Sequence, residues 1–254
     1  MGATTTTMIQ LNIESNVATL ALADSKVNAM NIEWCQLFSA QLAELEHDDN
    51  VRAVVLTSAE RVFSAGVDLK RVVAEEPQYV QPFIDSLSKC FRDAFVFPKP
   101  LVVAINGHAI AGGCIVASCG DFRVATPRAR IGLPELRVGV PLPAIAIEII
   151  RRVASPVALQ AMLNSGANYR GKAAVEVGLA DEIVEKESLL EAAREHADLL
   201  ASIPHATFRL MKQQIREPSL VQADRLEEKF GQQVREVWNS SEIRAMIEQY
   251  AAKL

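Results

Sequence analysis

Two short glycine-containing segments have the residue types needed to surround a ligand oxygen with main-chain amides. FSAGVDL at 63–69 and AIAGGCI at 109–115 each follow an apolar, strand-like stretch and contain Ala-Gly where a helix could begin. An amide N–H at such a turn is a fixed donor, and a minimal side chain lets a ligand approach closely. Two such donors could converge on one oxygen, although the same glycines could instead serve tight helix packing. The small residues concerned are Ala65, Gly66, Gly112 and Gly113.

Other kinds of reactive site find little support in the sequence. Neither glycine segment matches a dinucleotide-binding or P-loop pattern, so phosphate cradling is not indicated. The four cysteines lack the spacing of metal ligands, and we predict no metal site. Cys114 has no evident histidine partner, which is typical of core packing rather than of a nucleophile. His108 could be read as a base because it precedes Gly112 closely, but we expect a structural role for it.

The composition predicts a folded protein whose partners are small molecules or other subunits. The chain has 254 residues, half of them hydrophobic, which is enough to bury a full core. Its 26 Lys and Arg against 31 Asp and Glu form no long basic run, which argues against a nucleic-acid partner. The sequence shows neither a signal-peptide pattern nor an apolar stretch of about 18 residues, the length of a membrane span. With its free thiols, we expect a soluble, cytoplasmic protein without a membrane partner.

Strand-like and helix-like stretches alternate along most of the chain, which predicts an α/β domain with its functional groups at the strand ends. Asn31 is a candidate N-cap for a helix over 32–48, where apolar residues recur at helical spacing. A second long helix is predicted over 79–97, before Pro98. The predicted strands are 8–13, 17–22, 51–58 and 101–106.

After about residue 187 the predicted strands end and three helical segments follow. We expect breaks near Pro204, near Pro218 and at Asn239-Ser240. A helical tail of this size packs either on its own core or on a neighbouring subunit.

The chain resembles the crotonase family, also called the enoyl-CoA hydratase/isomerase superfamily, in four segments. They occur in the order VFSAGVDL, INGHAIAGGCIVASCGDFRVA, IGLPELRVGV and AAVEVGLADEIV. The resemblance covers nearly the whole chain and implies an α/β fold of the crotonase (ClpP-like) type, a spiral of strand–helix turns with a C-terminal helical tail. It further implies a core with an acyl-CoA site over 1–195. The region 196–254 would build a homotrimer or a homohexamer.

The resemblance also implies the roles of the two glycine segments. In that family they place main-chain N–H groups around the thioester oxygen of an acyl-CoA, and by position these donors would be Ala65 and Gly112. Losing one such donor costs about 3 kcal/mol of transition-state stabilisation. Coenzyme A is part of the substrate, so no separate cofactor is implied. The implied substrate-binding residues are Ser64, Gly66, Val67, Asp68, Leu69, Gly113 and Ile115. The basic residues left open as contacts for the CoA phosphates are Lys70, Arg71 and Lys212.

The chain departs from the pattern of the family's hydratases in its acidic residues. Those hydratases carry two glutamates, and this chain has Ile115 at the first position and the predicted catalytic base, Glu135, at the second. Isoleucine cannot hold a water for addition to a double bond, whereas moving a double bond needs a single base. If Glu135 is buried among its apolar neighbours, its pKa is raised. This pattern favours a Δ3,Δ2-enoyl-CoA isomerase. The alternatives are a hydratase or another lyase of the family, and a non-catalytic acyl-CoA binding protein.

Overall fold

A six-stranded sheet forms the centre of the fold. Its strands are β1 (Ile9–Glu14), β2 (Val17–Leu22), β3 (Ala53–Ser58), β4 (Leu101–Ile105), β6 (Phe122–Ala125) and β9 (Glu182–Ile183). They lie in the order β1-β2-β3-β4-β6-β9, with β1 antiparallel to β2 and every later pair parallel. The computed structural model describes residues 8–252, so the outermost residues of the predicted regions 1–195 and 196–254 lie outside the described part.

A smaller sheet carries the second glycine segment and the residues that lead to Glu135. Its strands are β5 (Ala109–Ile110), β7 (Ile131–Gly132) and β8 (Asn168–Tyr169). β5 pairs in parallel with β7, and β7 pairs in antiparallel fashion with β8. The segment that follows β5 and the segment that follows β7 therefore leave the sheet side by side.

Helices connect the strands, and three of them follow the last strand. They are α1 (Ile32–His47), α2 (Leu69–Ala74), α3 (Val80–Val96), α4 (Gly112–Ser118), α5 (Glu135–Val138), α6 (Ala144–Val153), α7 (Pro156–Ser165), α8 (Lys172–Glu176), α9 (Leu189–Ala201), α10 (His205–Asn239) and α11 (Ser241–Ala251). Short 3-10 turns lie at Pro77–Tyr79 and Lys186–Ser188. Between residues 8 and 252, the chain forms no helix that is long and apolar enough to cross a membrane.

The predicted alternation of strands and helices is confirmed. Asn31 caps α1, since its side-chain oxygen accepts a hydrogen bond from the amide of Trp34 at 2.8 Å. α1 buries one apolar face that includes Trp34, Phe38 and Leu42 and packs against α3. The helix and strand ends agree with the predicted ranges to within about two residues, the usual uncertainty of such boundaries.

One of the three predicted breaks in the helical tail is wrong. The chain does break near Pro204 and at Ser240, but α10 continues through Pro218. A proline inside a helix costs roughly 3 kcal/mol, so contacts elsewhere along α10 must outweigh that cost.

Buried contacts on both sides of Pro218 hold α10 against the core. The Asp121 carboxylate accepts from Arg216 Nη2 at 2.6 Å and from Lys212 Nζ at 2.6 Å. Near the other end, Trp238 Nε1 donates to the carbonyl of Pro141 at 2.9 Å. These contacts tie α10 to the core before and after Pro218, so tertiary contacts hold the helix in place despite the local cost of the proline.

Candidate active site

The two glycine segments lie side by side because a residue of the first pairs with β5, which begins the second. The amide of Ser64 donates to the carbonyl of His108 at 3.0 Å, and the carbonyl of Ser64 accepts from the amide of Ile110 at 2.9 Å. The segments touch closely, since a Cβ placed on Gly66 would lie 3.0 Å from the amide nitrogen of Gly112. The predicted convergence of the two segments is therefore present.

The donor that was predicted at Ala65 is already occupied. The Ala65 amide donates to the carbonyl of Val27 at 2.9 Å, and the amides of Gly66 and Asp68 are also bonded within the chain. The Val67 amide has no acceptor among residues 8–252. The assignment of a free donor to Ala65 is therefore wrong, and the first segment offers the amide of Val67 instead.

The amide of Gly112 also has no acceptor among the described residues, for a different reason. Gly112 is the first residue of α4, and first-turn amides have no acceptor inside their own helix. The preceding residue, Ala111, has φ 55° and ψ −126°, which non-glycine residues rarely adopt. Backbone strain of this kind costs about 1–3 kcal/mol and collects at functional sites. Here the Ala111 amide donates to the carbonyl of Gly132 in β7 at 2.9 Å, which holds the strained turn in place.

Three of the predicted substrate-binding residues shape the segments from the protein interior. Gly66 has φ 90°, and a Cβ there would lie 2.6 Å from Ala111 Cβ. A Cβ on Gly113 would lie 2.5 Å from the carbonyl oxygen of Ser64. The buried Ser64 hydroxyl accepts from the Gly66 amide at 3.1 Å. At Ser64, Gly66 and Gly113 the packing interpretation of the small residues therefore fits best.

Asn28 fixes the first segment, a role that the sequence reasoning missed. It is fully buried with φ 47°, a left-handed conformation that asparagine tolerates better than most residues. Its Nδ2 donates to Ser58 Oγ at 2.8 Å and to the carbonyls of Val62 at 3.2 Å and Phe63 at 3.1 Å. An asparagine between a strand and a helix is the signal that could have pointed to this role.

We expect Asn28→Ala to lower the free energy of unfolding by about 2–4 kcal/mol and to lower kcat. Buried carbonyls lose their donor, and alanine is strained at positive φ, each effect costing about 1–3 kcal/mol. Asn31→Ala is the matched control, because it removes only the cap of α1, worth about 1 kcal/mol. Urea denaturation and a turnover assay measure both quantities. Equal losses of stability and unchanged kcat in both variants would contradict the assignment.

A cavity of about 440 Å³, called the first cavity below, lies where the first glycine segment meets Pro134 and Glu135. Three predicted substrate-binding residues line it, namely Val67, Asp68 and Leu69. The Asp68 carboxylate also caps α2 by accepting from the Arg71 amide at 3.0 Å.

α4 brings no acidic side chain to this cavity. Ile115, the residue at the position of the hydratases' first glutamate, is buried and apolar, and the helix reads GGCIVAS. Ile115 packs in the main core cluster and is absent from the residues that line the first cavity within the described chain. The contact of Ile115 with substrate therefore stays a prediction. The sequence of α4 itself contains no carboxylate.

The C-terminal helix α11 contributes Tyr250 to the same cavity, which the sequence reasoning also missed. Arg244 holds α11 in place by donating to the carbonyls of Val73 at 3.3 Å and Glu75 at 2.9 Å. No local sequence pattern links Tyr250 with residues so far away along the chain. The helical tail therefore helps to build the site of its own chain.

Glu135 is the acid at the centre of the site. It begins α5, and its Oε2 atom is fully buried without a hydrogen-bond partner among residues 8–252. Within the same residues no cation lies in ion-pair contact with it. Burial raises the pKa of Glu135 from 4.5 to about 8, and a hydrogen bond from its own amide offsets a part of this shift. A carboxylate with such a pKa can both take up and release a proton near neutral pH.

The raised pKa predicts how stability depends on pH. Folding favours the protonated form of Glu135. The contribution of this carboxyl group to the free energy of unfolding is therefore fully present below pH 4.5 and is lost as the pH rises through 8. We expect Glu135→Gln to leave the stability unchanged near pH 4 and to raise it by about 4–5 kcal/mol at pH 9, since the pKa rises from 4.5 to about 8 and one pKa unit is 1.36 kcal/mol. Urea denaturation of both proteins at the two pH values measures this. A stability difference that is independent of pH would contradict the burial of an ionisable Glu135.

Comparison with known proteins agrees with this geometry. The family described as Enoyl-CoA hydratase/isomerase matches residues 12–254. The chain belongs to this family. It is 30% identical to a short-chain-enoyl-CoA hydratase of Clostridium acetobutylicum over 207 residues, which are 81% of this chain and 79% of that protein. It is 28% identical to the mitochondrial enoyl-CoA delta isomerase 1 of Mus musculus over 212 residues, 82% of this chain and 73% of that protein.

A solved structure confirms the fold. The crystal structure of human mitochondrial delta3-delta2-enoyl-CoA isomerase superposes with a TM-score of 0.90 at 26% identity, covering 97% of this chain and 98% of that one. The predicted crotonase fold with a C-terminal helical tail is therefore confirmed. As a member of the enoyl-CoA hydratase/isomerase family, the protein is an enzyme that acts on acyl-CoA thioesters.

Of the three basic residues considered as contacts for the CoA phosphates, Lys212 is excluded. Lys212 is buried, and its Nζ is held by Asp121 and by the carbonyl of Lys99 at 3.0 Å. Arg71 is partly exposed and pairs with Glu75 at 2.8 Å. Lys70 is exposed and lines the first cavity, which makes it the best placed of the three.

His108 and Cys114 are poor candidates for catalysis, as the sequence indicated. His108 Nδ1 accepts from the Arg130 amide at 3.1 Å, and burial together with the Arg130 charge lowers the pKa of His108. Burial raises the pKa of the Cys114 thiol, and the nearby Glu135 adds to the shift. A neutral, buried thiol is a poor nucleophile.

Proposed function

We propose that the protein is a Δ3,Δ2-enoyl-CoA isomerase that uses Glu135 as its single base. The observation that carries the proposal is the combination of a half-buried Glu135, whose Oε2 atom is fully buried without a partner among residues 8–252, with the buried apolar Ile115 in α4. The first position that hydratases of the family fill with a glutamate thus holds no group that can bind water.

The reaction needs one proton carrier and one charge stabiliser. Glu135 removes a proton from C2 of a 3-enoyl thioester, the electrons move into a dienolate, and Glu135 returns the proton at C4. The product is the 2-enoyl thioester, with the same atoms as the substrate. The amides of Val67 and Gly112 donate to the thioester oxygen, where negative charge develops. Each donor belongs to a different glycine segment. The oxyanion hole, the pair of amides around the thioester oxygen, therefore depends on the contact between Gly66 and Gly112.

The remaining substrate contacts follow from the first cavity. The main chain at Val67, Asp68 and Leu69 would meet the adenine end of CoA, and Lys70 would meet a phosphate. Coenzyme A enters and leaves as part of the substrate, so the proposed reaction needs no further cofactor.

We also propose that copies of the chain associate as a homotrimer or a homohexamer. α9 and α10 expose several large apolar side chains to solvent, and association with a second copy would remove apolar surface of this kind from water. These residues are Leu190, Leu199, Leu210, Met211, Ile215 and Val221. Light scattering on the purified protein measures the size of the assembly.

Hydration is the second candidate reaction, because a relative at 30% identity is named a short-chain-enoyl-CoA hydratase. Because α4 has no acidic residue, a group elsewhere in this chain would have to hydrogen-bond the attacking water. Tyr250 lines the first cavity, and its hydroxyl is one described group that could serve.

Turnover separates an enzyme from a non-catalytic binding protein. Incubation with a 3-enoyl-CoA should yield the conjugated 2-enoyl-CoA, which is followed by its ultraviolet absorbance. Binding of the CoA thioester without conversion, in protein that calorimetry shows to be folded, would favour a binding protein and contradict the proposal.

A further inference from the structure

Met30 contacts both segments that supply the amides of the oxyanion hole. It lies between β2 and α1, directly before the cap of α1 at Asn31, and it is fully buried. Its main chain pairs with Val67 of the first glycine segment, and its side chain packs against Gly112 of the second. A thioether cannot transfer a proton, so Met30 can affect the reaction only through the residues that it holds.

The main chain of Met30 determines where the Val67 amide points. The Met30 amide donates to the carbonyl of Gly66 at 2.8 Å, and the Met30 carbonyl accepts from the Asp68 amide at 2.9 Å. The Gly66 carbonyl and the Val67 N–H belong to one planar trans peptide group, in which they point in opposite directions. Because the carbonyl is bound to Met30, the Val67 N–H points away from Met30.

The side chain of Met30 supports the Gly112 amide from the protein interior. A Cβ placed on Gly112 would lie 2.9 Å from Met30 Sδ and 3.5 Å from Phe91 Cζ, so these two side chains fill the space beside the Gly112 Cα. The strained residue Ala111 directly precedes Gly112. A strained turn persists only where the surrounding atoms leave it no room to relax, and the Met30 side chain takes up part of that room.

We propose that Met30 is a positioning residue, which holds the amides of Val67 and Gly112 at the spacing that the thioester oxygen requires. The proposal rests on the function proposed above, in which these two amides bind that oxygen. Such donors have to lie about 2.7–3.1 Å from the developing charge. A misplacement of about 1 Å can lower the rate by about 10²-fold. The unbranched methionine side chain suits this role because it fills an irregular gap between the two segments.

The first test shortens the side chain and keeps the main chain. Met30→Ala should lower kcat by about tenfold to 10²-fold and leave the affinity for a saturated acyl-CoA largely unchanged, because the Gly112 turn can relax into the vacated space. Met30→Leu conserves the volume and should keep kcat close to that of wild type. Steady-state kinetics and calorimetry measure the two quantities.

Leu42→Ala is the matched control for the loss of a buried side chain. Leu42 belongs to the same core cluster as Met30 but lies on the face of α1 that packs against α3. This variant should lose a comparable free energy of unfolding and keep its kcat. Wild-type kcat in Met30→Ala, or an equal loss of kcat in Leu42→Ala, would overturn the proposal. If Met30→Ala does not fold, Met30→Val, a smaller truncation, takes its place under the same criteria.

The second test detects the hydrogen bonds of the oxyanion hole without turnover. Donors to a thioester carbonyl weaken its C=O bond and lower the stretching frequency, which difference infrared spectroscopy measures on a saturated acyl-CoA with an isotope-labelled carbonyl. Wild type, Met30→Leu and Leu42→Ala should lower the frequency below that of free acyl-CoA, and Met30→Ala should lose most of this shift. A full shift in Met30→Ala would overturn the proposal.

The infrared test also separates this proposal from the isomerase function, because the saturated ligand does not react. A shift that is present in wild type and lost in Met30→Ala, in a protein that converts no 3-enoyl-CoA, would support the role of Met30 and refute the isomerase function. A wild-type protein that binds the ligand without any shift would overturn the oxyanion hole and, with it, the role of Met30.

Discussion

Glu135→Gln is expected to lower kcat for the double-bond shift by about 10²- to 10⁴-fold, with little change in the affinity for acyl-CoA. Glutamine keeps the size and most of the hydrogen bonding of the side chain, but it cannot accept the C2 proton. The buried Oε2 without a partner is the atom that loses its function. Steady-state kinetics on a 3-enoyl-CoA, with calorimetry for substrate binding, measure the two quantities.

Two further variants control this result. Glu176→Gln removes an exposed carboxylate of α8 and should leave kcat unchanged. Glu135→Asp keeps a base but withdraws it by one methylene, so we expect an activity between those of wild type and Glu135→Gln. Wild-type kcat in Glu135→Gln would rule out Glu135 as the essential base.

Gly112→Pro is expected to reduce turnover by about 10²- to 10³-fold, because it removes an amide that donates to the developing oxyanion. Gly112 is the first residue of α4, a position where the fixed φ of proline is compatible with a helix. A Cβ at this position would lie 2.9 Å from Met30 Sδ, so the fold of the variant has to be verified by its melting curve.

Ala111→Gly is the matched control for the same turn. It keeps the Gly112 amide and relaxes a non-glycine residue at positive φ, so the variant should be folded and active. Full activity in a folded Gly112→Pro protein would exclude the Gly112 amide as a donor.

The local features of the site were predictable from the sequence because short-range physics determines them. The caps at Asn31 and Asp68 follow from side chains that bond amides two or three residues away. The two glycine segments and Glu135 were recognised from the order of their motifs. These features needed no knowledge of how distant parts of the chain pack.

The predictions that failed depended on long-range contacts. Whether the amide of Ala65 or that of Val67 is free depends on pairing with residues near 27–30, which the first segment does not encode. Lys212 looked like an exposed cation, but a buried partner, Asp121, lies 91 residues away. Tyr250 reaches the cavity only because α11 folds back over α2.

The prediction of a helix break at Pro218 also failed because of long-range contacts. The local cost of proline in a helix is real, at roughly 3 kcal/mol, but it acts on a helix that buried contacts hold on both sides. Local propensity gives way when tertiary contacts of this strength are present.

The ratio of two kcat/KM values for the wild-type protein tests the account most directly. The isomerisation of a 3-enoyl-CoA and the hydration of a 2-enoyl-CoA are measured on acyl chains of equal length, at one pH and one enzyme concentration. With Ile115 in place of a second acid, isomerisation should be much the faster reaction. Hydration that equals or exceeds isomerisation would contradict the proposed function and would point to a water held by the main chain or by Tyr250.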